Sequence, residues 1–195
     1  MEKTQSDSSL PFCVPSIEDS YEKPDKYSSV TERYYTPRFA VDVSGKEGED
    51  FCVLFHSNKI CVVTLAPSHP IRKEKKGILE VNFQVSTKVD RLKNKVSGKG
   101  KRGAQLLTTN SALCLVECSD GSKYTLYSSI QGKLVEINDK LIEKPSLLVE
   151  RPLSEGYIAI VLPNLQKSKQ LKEELLTPES YEEFLLSKTK NVNKE

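Results

Sequence analysis

The stretch Phe51-Cys-Val-Leu-Phe-His-Ser-Asn-Lys-Ile-Cys-Val-Val-Thr-Leu65 places two apolar runs on either side of Ser57-Asn58. Apolar runs joined by a two-residue turn are typical of a β-hairpin. Residues 113–117 and 122–127 repeat the arrangement around Asp120-Gly121, a dipeptide that hairpin turns favour. Two such hairpins in one chain of 195 residues predict a mainly β protein.

Further short strands are predicted around these hairpins. Residues 78–85 alternate apolar and polar side chains, as a half-buried strand does. Three more short runs are predicted as strands, at residues 133–137, 146–150 and 156–162. Many short strands separated by turn residues favour a barrel or a sandwich.

The two ends of the chain differ from its middle. Residues 1–30 are acidic, polar and interrupted by Pro11, Pro15 and Pro24, which predicts a disordered leader before a β domain at 31–163. Residues 164–195 have a helical composition, and Thr177-Pro178-Glu179 is a typical helix start. The aromatic cluster at 31–39 could anchor the leader onto the domain. Tyr181, Phe184 and Leu185 form one apolar helix face, which either packs on the domain or binds a partner.

Composition points to a reducing compartment. The five cysteines are an odd number, and the polar start of the chain does not resemble a signal peptide. No run approaches the 18 or so apolar residues that span a bilayer. The sequence therefore predicts a cytosolic or nuclear protein with reduced thiols and no membrane partner.

Residue patterns for catalysis or cofactor binding are weak. Ser97-Gly-Lys-Gly-Lys-Arg-Gly103 lacks the residue order of a phosphate-binding loop. Cys52 with His56 and Cys114 with Cys118 have the wrong spacing for common zinc sites, and their cysteines are interpreted as core residues. Cys61 and His69 have no third group to orient them as a nucleophile pair. We expect a non-enzyme with no cofactor, no metal and no small-molecule substrate.

Positive charge concentrates in one segment, residues 88–102, which we call the basic loop. It holds seven Lys or Arg and one Asp, a net charge of +6, while the whole chain carries only +2. Such a field attracts an acidic protein surface or a polyanion, although a solvated loop is the simplest interpretation. No aromatic residue lies within the loop to stack on bases, so the sequence leaves nucleic acid binding open.

A first resemblance concerns the fold. Ile130-Gln-Gly-Lys-Leu-Val-Glu-Ile-Asn138 and Glu155-Gly-Tyr-Ile-Ala-Ile-Val161 resemble the closing half of the glycine-cleavage H-protein and lipoyl-carrier domains. This implies a barrel-sandwich hybrid of two sheets. The family's lipoyl-bearing lysine would fall on Gly121, and Lys123 comes two residues too late. The resemblance therefore implies a carrier-like barrel without lipoylation or biotinylation.

A second resemblance concerns function. Three segments are similar to the Abitram (Simiate) family of actin-binding transcription modulators: His56-Ser-Asn-Lys-Ile-Cys-Val-Val-Thr-Leu-Ala-Pro-Ser-His-Pro70, Lys95-Val-Ser-Gly-Lys-Gly-Lys-Arg-Gly-Ala-Gln105 and Ser154-Glu-Gly-Tyr-Ile-Ala-Ile-Val-Leu-Pro163. The resemblance implies a non-enzyme that binds monomeric or filamentous actin and influences its polymerisation and cell protrusions. It also implies a transcription-modulating role at nuclear speckles.

These implications direct attention to the basic loop. We expect five of its residues to contact actin: Lys93, Lys95, Lys99, Lys101 and Arg102. The alternative is a nuclear factor that uses the same loop for nucleic acid or chromatin. Lys73-Glu-Lys-Lys76 and Lys99-Gly-Lys-Arg102 are candidate nuclear import signals, and a solvated turn explains either one equally well.

Overall fold

The computed structural model describes residue 16 and residues 27–192 of the chain. The leader predicted at 1–30 lies mostly outside these residues. The described part contains nine strands, six α-helices and one 3₁₀ helix, Val43–Gly45. The strands are β1 (Tyr35–Ala40), β2 (Phe51–His56), β3 (Cys61–Leu65), β4 (Ile78–Asn82), β5 (Leu106–Leu107), β6 (Ala112–Cys118), β7 (Lys123–Tyr127), β8 (Gly132–Ile137) and β9 (Ala159–Leu162). The helices are α1 (Val30–Tyr34), α2 (Pro70–Lys73), α3 (Lys140–Glu143), α4 (Leu147–Glu150), α5 (Ser168–Glu173) and α6 (Pro178–Val192).

Two antiparallel sheets build the domain. One has six strands in the order β1-β2-β3-β9-β8-β5, and the other has three in the order β4-β6-β7. A single hydrophobic core draws side chains from both sheets, including Phe51 and Val63 from one and Leu113 and Leu126 from the other. This arrangement confirms the predicted mainly β barrel-sandwich hybrid.

Both predicted hairpins are present, but their turns are longer than predicted. His56 pairs with Ile60 across residues 57–59, and Cys118 pairs with Ser122 across residues 119–121. The third residue of each turn is left-handed, with φ of +76° at Lys59 and +82° at Gly121. A type I turn followed by such a residue keeps the twist of the flanking strands, so a three-residue loop serves as well as the expected two.

One predicted strand is wrong. Residues 146–150 form the helical turn α4 instead, with Glu150 N–H donating to the carbonyl of Ser146 and Arg151 N–H to that of Leu147. Leu147 and Leu148 are both buried, which a period of two does not predict. The segment Ser146-Leu-Leu-Val-Glu150 has only three apolar residues, too few for their periodicity to separate a strand from a helical turn.

The edge strand β1 was not predicted. Residues 35–40 form β1, which pairs with β2 at the edge of the six-stranded sheet. Pro37 lies in β1, as edge strands permit, and this proline obscured the pattern. The aromatic cluster at 31–39 thus joins the domain as a short helix and a strand.

Helix α6 packs on the domain through the residue that begins its apolar face. Thr177 caps the helix by accepting a hydrogen bond from Ser180 N–H at 3.2 Å, as predicted. Tyr181 is buried and its ring stacks on Phe39, with 4.2 Å between the ring centroids. No described helix is long and apolar enough to cross a membrane.

Candidate partner-binding surface

The basic loop connects β4 to β5 and ends in a tight reversal. Ser97 and Arg102 exchange two backbone hydrogen bonds of 3.0 and 2.9 Å. Gly103, just beyond them, has a φ of +78°, and a Cβ atom there would lie 2.8 Å from the Lys95 carbonyl oxygen. Only glycine fits this position without strain. The tip therefore has one defined shape rather than that of a free chain.

Arg91 fastens the base of the loop to the domain. Its Nε donates to the Ala112 carbonyl at 2.9 Å, and its Nη1 donates to Gln105 Oε1 at 2.6 Å. Gln105 Nε2 in turn donates to the Asp90 carbonyl at 2.8 Å. Burial lowers the pKa of the Arg91 guanidinium because its charge loses contact with water. This arginine is therefore a structural residue, although the sequence counts it with the basic cluster.

Two further contacts hold the loop against β8. Asn94 Nδ2 donates to the Leu134 carbonyl at 2.9 Å, while its Oδ1 accepts from Gln105 N–H at 2.8 Å. Lys133 Nζ, on β8, donates to the Gly100 carbonyl at 2.7 Å. The loop is therefore clamped along its length, and its remaining cations are displayed from a fixed base.

The five sequence-predicted contact residues lie on this clamped loop. Lys93, Lys95, Lys99 and Arg102 are exposed, and Lys101 is half-buried. Lys93 Nζ reaches Asp90 Oδ2 at 3.5 Å, but its side chain stays 81% exposed. The other four have no acidic partner within 4 Å among the described residues. Most of the loop's positive charge therefore faces solvent without neutralisation.

An apolar groove of about 640 Å³ lies beside the tip. Leu106 and Leu165 line it with 76% and 62% of their surface exposed. Lys99, Lys133 and Lys167 also line the groove. Large exposed leucines next to cations are typical of a surface that a protein partner covers.

The cysteines and His69 among the other sequence candidates are core residues, whereas His56 is half-buried at the end of β2. Cys52, Cys61, Cys114 and Cys118 are buried and free, and burial raises the pKa of the Cys52 and Cys61 thiols to about 12. Burial also lowers the pKa of His69 to about 3, and its ring lies edge-on to Phe51. Within the described part of the chain, no group of His, Cys, Asp or Glu could hold a metal ion.

The β6–β7 hairpin does not fit a lipoyl arm. Asp120 and Gly121 occupy its tip, where Asp120 Oδ2 pairs with Lys76 Nζ at 2.5 Å. Lys123 is the first residue of β7, and its Nζ lies 2.9 Å from Glu117 Oε2 on the neighbouring strand. A swinging arm needs an unpaired lysine projecting from the tip, and neither Asp120 nor Gly121 provides one. The side chains present therefore disagree with this prosthetic group.

Sequence reasoning did not identify the residues that clamp the loop. Arg91, Asn94, Gln105 and Lys133 are polar residues at separations of 3 to 42 positions, and their hydrogen bonds depend on the fold. Asn94 does carry one local signal, because it is an uncharged polar residue between Lys93 and Lys95.

The chain is similar to known proteins over most of its length. The family model described as glycine cleavage H-protein matches residues 68–188, which include the whole basic loop. Protein Abitram of Gallus gallus is 52% identical over 156 residues, covering 80% of this chain and 90% of the relative. Protein Abitram of Homo sapiens is 50% identical over 160 residues, covering 82% and 88%. A solved glycine cleavage system H protein from Mycobacterium marinum matches with a TM-score of 0.46 and 16% identity, covering 67% of this chain and 87% of that one.

Proposed function

The chain belongs to the Abitram family, with a glycine cleavage H-protein domain over residues 68–188, and from this premise we propose that it is a non-enzymatic actin-binding regulator. It would influence actin polymerisation and cell protrusions, with a second role in the nucleus. The family resemblance supports actin as the partner. Actin is acidic overall, so it suits a positively charged loop. The surface described above supports the choice of contact.

The observation that carries this proposal is that the basic loop is held by hydrogen bonds while most of its exposed cations have no acidic partner among the described residues. Oppositely charged surfaces raise the rate of encounter and fix the orientation of docking. A loop held by Arg91, Asn94 and Lys133 loses little conformational freedom on binding, so less of the binding free energy is spent on ordering it. We propose that Lys95, Lys99 and Arg102 contact an acidic face of actin.

The neighbouring groove supplies contacts of a second kind. Exposed charge pairs contribute little net affinity, whereas apolar side chains buried in a pocket dominate most interfaces. Leu106 and Leu165 offer such a pocket within reach of the loop lysines. In this proposal the loop guides association and the groove holds the bound partner.

Charge reversal tests the loop directly. We expect the triple variant Lys95→Glu, Lys99→Glu, Arg102→Glu to lose most of its co-sedimentation with filamentous actin and its binding to actin monomers. The control variant Lys140→Glu, Lys144→Glu, Lys190→Glu has the same change in net charge at exposed positions outside the loop. Circular dichroism checks that both remain folded. Equal loss in both variants, or no loss in the first, would exclude the loop as the binding site.

The nuclear part of the proposal favours one of the two candidate import signals. In Lys73-Glu-Lys-Lys76, Lys76 is already paired with Asp120 and Glu74, whereas Lys99 and Arg102 are exposed and unpaired within the described residues. Import receptors need accessible cations, so we assign the address to residues 99–102. Nuclear accumulation of a Lys99→Ala, Lys101→Ala, Arg102→Ala variant should fall; an unchanged nuclear signal would reject this assignment.

A further inference from the structure

A second cationic site lies outside the basic loop, between the β2–β3 turn and α5. It is a cavity of about 290 Å³. The residues that matter for its chemistry are Tyr34, His56, Lys59, Ser168, Lys169 and Lys172. Three lysines, one imidazole and several hydroxyl-bearing side chains therefore line a small volume.

The positive charge of this cavity is hardly neutralised. Among the described residues, Lys59 and Lys172 have no acidic partner within 4 Å, and Lys169 reaches Glu173 only at 3.9 Å. Lys172 is half-buried, with its Nζ 5.9 Å from the centre of the Phe55 ring. Burial lowers the pKa of Lys172, and the nearby Arg38 and Lys59 lower it further. Folding thus holds like charges together, an arrangement that a bound anion would relieve.

Two uncharged groups complete the cavity. Ser168, which lines the cavity, is 5% exposed and offers a hydroxyl donor. His56 Nδ1 accepts a hydrogen bond from Asn58 N–H at 3.1 Å, so the neutral ring carries its proton on Nε2 and can donate there.

We propose that this cavity binds a phosphate monoester. Such a group carries a charge of roughly −1.5 to −2 and three strong acceptor oxygens, which matches two or three ammonium groups and two neutral donors. A carboxylate and a phosphodiester each offer one charge and two free oxygens, so neither matches this set of groups as well. The Tyr34 ring, 54% exposed at the same cavity, provides a surface for the organic part of the ester.

Titration of the full chain with three probes at constant ionic strength tests the site. The probes are inorganic phosphate, phenyl phosphate and a blocked phosphoserine peptide, and binding is followed by isothermal titration calorimetry. We expect saturable binding of phenyl phosphate that weakens about tenfold or more in the double variant Lys59→Met, Lys172→Met, as loss of charge-assisted hydrogen bonds predicts. A Lys93→Met, Lys95→Met variant removes the same charge from the basic loop and should bind within about twofold of wild type.

Thermal unfolding separates a binding role from a structural one. Methionine keeps the packing on Phe55 but removes the repulsion between Lys59 and Lys172, so the ligand-free double variant should melt no lower than wild type. Only its stabilisation by phenyl phosphate should disappear. Tighter binding of the peptide than of phenyl phosphate would assign a phosphorylated side chain of a partner, and similar binding would assign a free phosphate ester. Absence of saturation with all three probes, or equal weakening in the loop variant, would overturn the proposal.

Discussion

Arg91 carries the same formal charge as the lysines of the basic loop, but it holds the loop to the domain instead of facing solvent. It is 8% exposed and donates to two oxygens of the domain, Ala112 O and Gln105 Oε1. Lys93, two positions later, has an 81% exposed side chain. Sequence composition cannot separate these cations, because burial depends on residues far along the chain.

Replacing Arg91 tests this assignment. Arg91→Met keeps most of the side chain's apolar volume but leaves both acceptors without their donor. We expect the free energy of unfolding, measured by urea denaturation, to fall by about 1–3 kcal/mol. Lys93→Met is the matched control and should change it by less than about 0.5 kcal/mol. Equal small effects would mean that Arg91 does not hold the loop.

His69 gives the protein a specific sensitivity to acid. Burial lowers its pKa to about 3, whereas in the unfolded chain it titrates near the ordinary value of 6.5. Below pH 6.5 the unfolded chain therefore binds a proton that the folded protein does not. The free energy of unfolding that depends on a neutral His69 is therefore fully present above pH 6.5. It is lost as the pH falls towards 3, with a slope of up to about 1.4 kcal/mol per pH unit.

The substitution His69→Asn isolates that contribution. Asparagine is a preferred helix cap and keeps an acceptor for Ile71 N–H, which His69 Nδ1 now accepts at 3.3 Å, but it does not titrate. We expect the unfolding free energy of the variant to depend less steeply on pH between about 4 and 6. Urea denaturation across that range measures the difference, and identical slopes in the two proteins would contradict the assignment to His69.

Among the elements, α6 is held by a buried polar contact as well as by ring stacking. Tyr181 donates through its hydroxyl to Asp50 Oδ2 at 3.0 Å, and Ser68 Oγ donates to the same oxygen at 2.7 Å. Asp50 Oδ1 accepts from Asp42 N–H at 2.9 Å, so the buried carboxylate has three donors. This satisfied cluster explains how a helix near the end of the chain becomes part of the domain.

Removing one donor tests the cluster. Tyr181→Phe keeps the stacking on Phe39 and removes only the hydroxyl, which should lower the free energy of unfolding by about 1.5–3 kcal/mol, because the bond is to a charged group. Tyr157→Phe is the control, since its hydroxyl bonds Glu136 at an exposed site. Thermal or urea unfolding compares them. Equal losses of unfolding free energy in the two variants would show that burial of Asp50 does not strengthen its hydrogen bond with Tyr181.

The elements also show how far the sequence could predict this structure. The hairpins around residues 57–59 and 119–121 were predictable because turn residues and apolar runs are local signals. The α4 turn was not, because the three apolar residues 147–149 carry too little periodicity. The short β5 strand was missed for a related reason: it has two residues, and only its pairing with Lys133 and Gly132 of β8 defines it.

The candidate surface was predictable in part. The cluster of lysines is a property of composition, so the sequence located it at residues 88–102. The clamp through Arg91 and Asn94 and the groove at Leu106 arise only when distant segments meet. The same is true of the cavity between Lys59 and Lys172, because the two residues are 113 positions apart.

At the scale of the whole molecule, charge is distributed unevenly. Residues 1–50 hold 6 basic and 11 acidic residues, a net −5, while residues 51–163 hold 17 and 10, a net +7. Residues 164–195 hold 6 of each, which gives the overall +2. Long-range attraction between exposed charges weakens strongly at physiological ionic strength, where the Debye length is about 8 Å. A binding mode that also uses the apolar groove should survive this screening.

Co-sedimentation of the full chain with filamentous actin across a salt series, beside a monomer-binding assay, tests the central claim most directly. We predict saturable binding at about 0.15 M salt, with an affinity that rises as the salt concentration falls. Binding that appears only at low salt would contradict the claim: the basic loop would then attract polyanions without recognising actin, and a nuclear partner would take its place.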